Sequence, residues 1–167
     1  MAGGQERILR GRIKAMQSTK KITRAMELIA GSRIVKAQQR VQAAVPYSEQ
    51  ITEVVKDLAA AGGTSDSPLL AGRDEIKTTC YVVMSADRGL CGGYNANILR
   101  TVTEHLDARA AAGIETAVTM VGKKGTNYFK YREREVSEVV SDIGDTPRFE
   151  QVEPVANRLM EAFIRGD

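Results

Sequence analysis

Tryptophan is absent from this 167-residue chain, and aromatic residues make up only 5% of it, so any core must be mainly aliphatic. Cysteine occurs twice, as Cys80 in an apolar run and Cys91 in a glycine-rich stretch. That spacing gives neither a disulfide framework nor a zinc site, and both are read as reduced thiols. The single histidine, His105, lies between Glu104 and Asp107 with no second imidazole or thiol spaced to share a metal. It reads as a solvated helix residue. Ser85 and Asp87 have no histidine near them in sequence, so a hydrolytic triad would require His105 to fold back. No stretch approaches the roughly 18 consecutive apolar residues of a membrane span, and the N-terminus has no signal-type apolar region. The expectation is a cytosolic chain unless something carries it to a membrane. Internal repeats and low-complexity tracts are also missing.

Carboxylates are scarce in one region. Between Arg7 and Arg40 lie Arg10, Arg12, Lys14, Lys20, Lys21, Arg24, Arg33 and Lys36, against Glu27 alone. The net charge is only +3, so the remainder is mildly acidic. A basic arm on such a body points to an acidic partner: nucleic acid, anionic lipid or an acidic protein surface.

From about Gln5 to Leu58 the composition is that of a helix, rich in Ala, Gln, Lys, Arg, Glu, Met and Leu. Small or apolar residues recur at Ile22, Met26, Ala30, Ile34, Ala37, Val41, Ala44, Ser48, Ile51, Val55 and Leu58. From Ile34 the steps alternate three and four, the seam of a coiled coil; the four-residue steps before it form a stutter. Ala30, Ala37 and Ala44 let a partner helix approach closely. Gly31 costs about 1 kcal/mol relative to Ala in a helix interior and Pro46 about 3, and Pro46 is expected to kink or interrupt the rod. At 1.5 Å per residue the element reaches about 80 Å. A short stripe of this kind is commonly the buried face of a bundle helix. Residues 59–167 hold no helix long enough to cover this one, so either the rod dimerises or its partner lies outside this chain.

Three segments follow from these patterns: a coiled-coil helix over 1–60, a connector over 61–76 broken by Gly and Pro68, and a partial α/β domain over 77–167. In the last, strands are expected at 78–84, 116–121 and near Val136 to Val140. Helices are expected from Asn95, as N-cap, to about Ala112 with Gly113 at its end, over 123–131, and over about 150–164. The first strand reads as buried. Alternation of strand and helix implies right-handed crossovers and a parallel sheet, left unfinished at three strands.

"SADRGLCGGYNANI", residues 85–98, packs Gly89, Gly92 and Gly93 between a strand and a helix, where nucleotide folds hold phosphate. Its spacing is G-x-x-G-G instead of G-x-G-x-x-G, and no Gly-Lys-Ser/Thr follows. Lys123 and Lys124 stand where a ribose-binding acid is expected, which would suit a 2′-phosphate. The alternatives are therefore a Rossmann-like nucleotide site built on residues 89–93, or a tight turn whose glycines relieve crowding.

Two stretches taken together, "RGRIKAMQSTKKITRAMELIAGSRIVKAQQR" (10–40) and "SADRGLCGGYNANI" (85–98), resemble the γ-subunit family of F-type ATP synthases. The family pattern pairs K-I-T-x-A-M-E on a long N-terminal helix with S-x-D-R-G-L-C-G after the first strand, and the resemblance covers the whole chain. It implies a non-catalytic central-stalk rotor subunit, peripheral on the cytoplasmic face of the bacterial plasma membrane, that couples proton-driven rotation to conformational change at the catalytic β subunits. The implied fold is half of an antiparallel coiled coil plus an incomplete Rossmann-like parallel domain. Implied partners are the α and β subunits, the ε subunit, the membrane c-ring and the C-terminal helix of a full-length γ subunit. No cofactor, metal or nucleic acid is implied. Arg33 and Arg88 match positions that approach an acidic lever of β, and Met26 one beside it. Lys20, Lys21, Arg24 and Lys36 are read as a supporting basic face, while Asp87, Gly89, Leu90, Cys91 and Gly92 form the signature loop. Family members run to nearly twice this length, so the chain is expected to be a fragment or truncated product.

Overall fold

The computed structural model describes residues 2–61, 67–70, 73 and 75–166. Half of the expected connector, 61–76, lies outside them. The described chain divides into two compact units, residues 1–64 and 65–167.

The first unit is one helix, α1 (Ala2–Ala60). Its 59 residues correspond to about 88 Å. Pro46 lies inside it without interrupting it, so of the two expected outcomes, a kink or an interruption, the interruption does not occur. Proline removes one i to i−4 hydrogen bond and crowds the carbonyl four residues back. The helix formers on either side outlast that local defect. Every described side chain from Gly3 to Ala60 is exposed.

The second unit is an α/β layer with elements β1 (Thr78–Met84), α2 (Tyr94–Ala111), β2 (Glu115–Val121), α3 (Lys123–Tyr131), β3 (Glu138–Val140) and α4 (Phe149–Arg165). The strands form a parallel sheet in the order β1-β2-β3, with Tyr81 beside Val118, Val83 beside Met120 and Val121 beside Val140. Leu99, Val102 and Leu106, three and four residues apart on α2, meet Val83, Val118, Met120 and Phe129 in one mainly aliphatic core. Burying each such side chain stabilises the unit by about 1.5 to 3 kcal/mol.

Gly113, at φ 70°, ends α2 as its sequence position suggested. Its amide donates to the Ala110 carbonyl and that of Ile114 to Arg109, each at 3.0 Å, a Schellman closure. At the other end of α2 the expectation fails: Gly93 occupies the N-cap, and Asn95 lies inside the first turn. The side chain of Asn95 bonds the preceding loop instead, with its carbonyl oxygen accepting the Ala86 amide at 2.9 Å.

β1 is also not the buried strand that its composition suggested. It is an outer strand of the described sheet, with Val83 buried while Cys80, Val82 and Met84 on the other face are exposed. Ser85 N–H donates to Val121, and the Lys77 carbonyl accepts from Glu115. By the two-residue strand period, Thr78, Cys80, Val82 and Met84 direct their backbone groups to the open edge. The Tyr94 hydroxyl donates to the Met84 carbonyl there, at 2.8 Å. β3 begins at Glu138, two positions after Val136; just before it the Ser137 amide donates to the Val118 carbonyl of β2, and Ser137 Oγ accepts the Val118 amide in place of a backbone carbonyl.

Candidate partner-docking site

The signature loop is built by satisfying helix ends. The first N–H groups of a helix have no partner within it. For α3, Lys123 N–H donates to the Asp87 carboxylate at 2.9 Å, Lys124 N–H to the Ala86 carbonyl at 3.0 Å and Gly125 N–H to Ser85 Oγ at 2.8 Å. Three successive loop residues thus cap three successive helix donors. Ser85 Oγ also lies 2.9 Å from the Val121 carbonyl oxygen, to which it donates. Asn95 closes the other side, accepting from Ala86 and donating to Cys91 Sγ at 3.1 Å. Between these anchors the chain turns through Leu90 at φ 63° and Gly92 at φ 59°.

This bracing projects Arg88 and Leu90 outward. The Arg88 side chain is 78% exposed, with its guanidinium 4.0 Å from the Asp145 carboxylate. An exposed pair at that separation contributes little, about 0 to 1 kcal/mol. Arg88 is therefore available to a partner carboxylate offering shorter, bidentate hydrogen bonds.

Phosphate does not suit the same place. The hollow at the carboxyl ends of the strands, about 300 Å³, is lined by Asp87, Asp142 and Asp145 against Arg88 alone. The α3 terminus that would hold an anion already holds the Asp87 carboxylate. A Cβ on Gly122 would come within 2.1 Å of the Ser85 carbonyl oxygen, so these backbones meet with no space between them. The hollow and the α3 terminus therefore offer no cradle for a phosphate. Catalytic readings gain nothing either. Ser85 is occupied structurally, and the His105 ring meets Tyr81 edge-on at 6.1 Å. No group of three metal-ligating side chains occurs among the described residues.

The basic residues of α1 belong to the other unit and fall on two faces. Lys20, Lys21 and Arg24 line one shallow groove with Gln17. Arg24 pairs with Glu27 at 2.7 Å, with both side chains exposed. Met26 and Arg33, seven residues apart, share a second face roughly opposite Arg24 at 3.6 residues per turn, while Lys36 falls midway between Arg33 and Lys21. Met26 lies in the apolar seam itself and is 46% exposed. The sequence treated these cations as one neighbourhood. Helical geometry sets Arg33 apart from Lys20, Lys21 and Arg24, with Lys36 between them.

Ser85, Asn95 and Tyr94 were not singled out as loop anchors from the sequence. Ser and Asn beside a glycine turn are the available signal, since both residue types bond nearby backbone.

The family model described as ATP synthase matches residues 5–167. The ATP synthase gamma chain of Mycolicibacterium gilvum is 46% identical over 160 residues, covering 96% of this chain and 52% of that protein. The gamma chain of Frankia casuarinae is 46% identical over 161 residues, covering 96% and 54%. That of Mycolicibacterium smegmatis is 44% identical over 160 residues, covering 96% and 52%. The chain spans about half the length of these curated relatives. No helix among the described residues is long and apolar enough to cross a membrane.

Proposed function

Because the chain belongs to the ATP synthase gamma-chain family, we propose that it supplies the N-terminal half of a central-stalk rotor. In this reading α1 is one strand of the shaft, and its seam takes the C-terminal helix of a full-length γ subunit. The α/β unit sits at the base against the ε subunit and the c-ring, peripheral on the cytoplasmic face of the plasma membrane. The subunit catalyses nothing; its rotation inside the ring of α and β subunits imposes different conformations on the β sites. The observation that carries the reading is the match across residues 5–167, and the empty seam along α1 supports it.

The mechanical contact is assigned to Arg88, Arg33 and Met26. Arg88 sits at the tip of a loop braced by Ser85, Asp87 and Asn95, so the guanidinium is presented with little freedom at its base. Arg33 and Met26 offer a cation and a flexible apolar surface beside the seam. An acidic segment of β would meet these groups at only some rotor angles. Lys20, Lys21 and Arg24, on the opposite helix face, serve a separate acidic surface of the surrounding ring.

The test places Arg88→Glu in the full-length subunit that contains this chain. Repulsion replaces a charge-assisted hydrogen bond, a change worth about 2 to 5 kcal/mol if water is excluded and less if it is not. The expected outcome in membrane vesicles is normal incorporation with slowed or uncoupled ATP turnover, and an intermediate effect for Arg88→Lys, which cannot reproduce the planar fork. Normal proton-coupled synthesis by the Glu variant at matched assembly would overturn the assignment.

A further inference from the structure

The hollow beside the signature loop holds three carboxylates, and two of them are engaged with their own surroundings. Asp87 accepts the Lys123 amide at 2.9 Å, and Asp142 accepts the Ser141 hydroxyl at 3.1 Å. The third, Asp145, faces Arg88 at 4.0 Å. Between β3 and α4 the chain turns through Asp142 at φ 66° and Gly144 at φ 68°. It is tied on both sides of Asp145: the Asp142 carbonyl accepts from Gln151 Nε2 at 2.9 Å, and Gln151 Oε1 accepts the Arg148 amide at 3.0 Å. Arg88 is anchored from the other side by the bonds of Ser85, Asp87 and Asn95. Two braced loops of one unit thus bring a cation and an anion together, with both side chains largely exposed, at 78% and 59%.

A separation of 4.0 Å is beyond hydrogen-bond range, so the attraction is Coulombic, and the guanidinium fork keeps its capacity for a carboxylate that comes closer. An exposed pair of this kind changes an equilibrium by no more than about fivefold. That is enough to compete with an incoming carboxylate, and too little to resist one that forms two short charge-assisted hydrogen bonds. We propose that Asp145 is an internal competitor for Arg88: the guanidinium leaves Asp145 when a partner's carboxylate engages it and returns when that contact breaks. The inference rests on the assignment of Arg88 to a partner carboxylate, and adds to it the group that holds Arg88 between contacts. Exchange between two carboxylates lowers the net strength of the outer contact and shortens its life, because the released guanidinium passes to a counter-charge. A contact made at only some rotor angles has to be reversible in this way.

Hexaglutamate is the probe, added to the whole chain while the Arg88 Nε–H resonance is followed by NMR. In Asp145→Asn the peptide concentration at the midpoint of the Arg88 response should fall by about two- to fivefold relative to the parent. Asp142→Asn removes the same charge from the same hollow but leaves the pair in place, so its midpoint should move less than that of Asp145→Asn. Equal midpoints in the parent and Asp145→Asn, or equal shifts in the two variants, would overturn the competition. No Arg88 response to the peptide in any of the three proteins would instead overturn the assignment of Arg88 to a partner carboxylate, and the competition with it. In the full-length subunit that contains this chain, Asp145→Asn should prolong the Arg88 contact and slow ATP turnover at matched assembly, and an Arg88→Gln background should erase that difference. Unchanged turnover, or the same slowing in the Arg88→Gln background, would overturn the role of Asp145 in release.

Discussion

A Cβ at Gly122 would meet the Ser85 carbonyl oxygen at 2.1 Å, and the residue holds φ at 94° with ψ at 147°. That backbone region is essentially restricted to glycine, and the obstructing atom is main chain that cannot swing aside. Gly122→Ala is expected to destabilise the α/β unit by about 3 kcal/mol or more, read as a lowered urea midpoint. Gly89 has nothing within 4 Å of its would-be Cβ and no positive φ, so Gly89→Ala is expected to stay within about 0.5 kcal/mol of the parent in the same titration. The contrast separates what the sequence conveyed from what it did not. Clustered glycines after a strand were visible as a turn. That the tightest packing lies at Gly122, outside the cluster, depends on a contact between residues 37 positions apart, and no local pattern encodes it. Asn95 was misread for a related reason: its side chain serves as well for binding a neighbouring loop as for capping its own helix, and only the tertiary position of Ala86 decides between them.

Elements with strong internal pattern were legible nearly to the residue, as β1 and α3 illustrate. α1 was legible in extent, but not in its continuity through Pro46. Replacing that residue restores an N–H able to bond the Gln42 carbonyl. Pro46→Ala should therefore slow amide exchange around residues 42–50, toward the limit of about 3 kcal/mol set by helix propensity. α4 offers the opposite lesson. Val155, Leu159 and Ala162 form an apolar stripe, yet each is only half-buried, and α4 contains no buried residue. Glu138 with Arg158, and the Asp142 carbonyl with Gln151 at 2.9 Å, supply polar contacts to the rest of the unit. Hydrogen exchange is accordingly expected to be faster throughout α4 than in α2, whose Leu99, Val102 and Leu106 are buried. Uniform protection of the two helices would contradict this ranking.

For the whole molecule, the separation into two units predicts separate unfolding. No described α1 side chain contributes to the core, so Ala30→Pro should reduce far-ultraviolet helical signal. The near-ultraviolet transition of the second unit should keep its midpoint within a few tenths of a kcal/mol. Fold class was readable from the sequence because the period changes from helical to alternating at the connector. The exposure of β1 was not, because a run such as TTCYVVM reads the same in a central strand as in an outer one. That outer strand also has an aggregation hazard, since it is seven residues long and carries neither charge nor proline to deter another chain. Tyr94 limits it. By occupying the Met84 carbonyl, the phenol removes the last rung of the open ladder and leaves only Thr78, Cys80 and Val82 to template a foreign strand. Tyr94→Phe would lengthen that template by one residue, so the variant should seed fibril growth sooner at equal concentration while its folded core stays the same. The hydroxyl is thus a stop placed at the end of a zip.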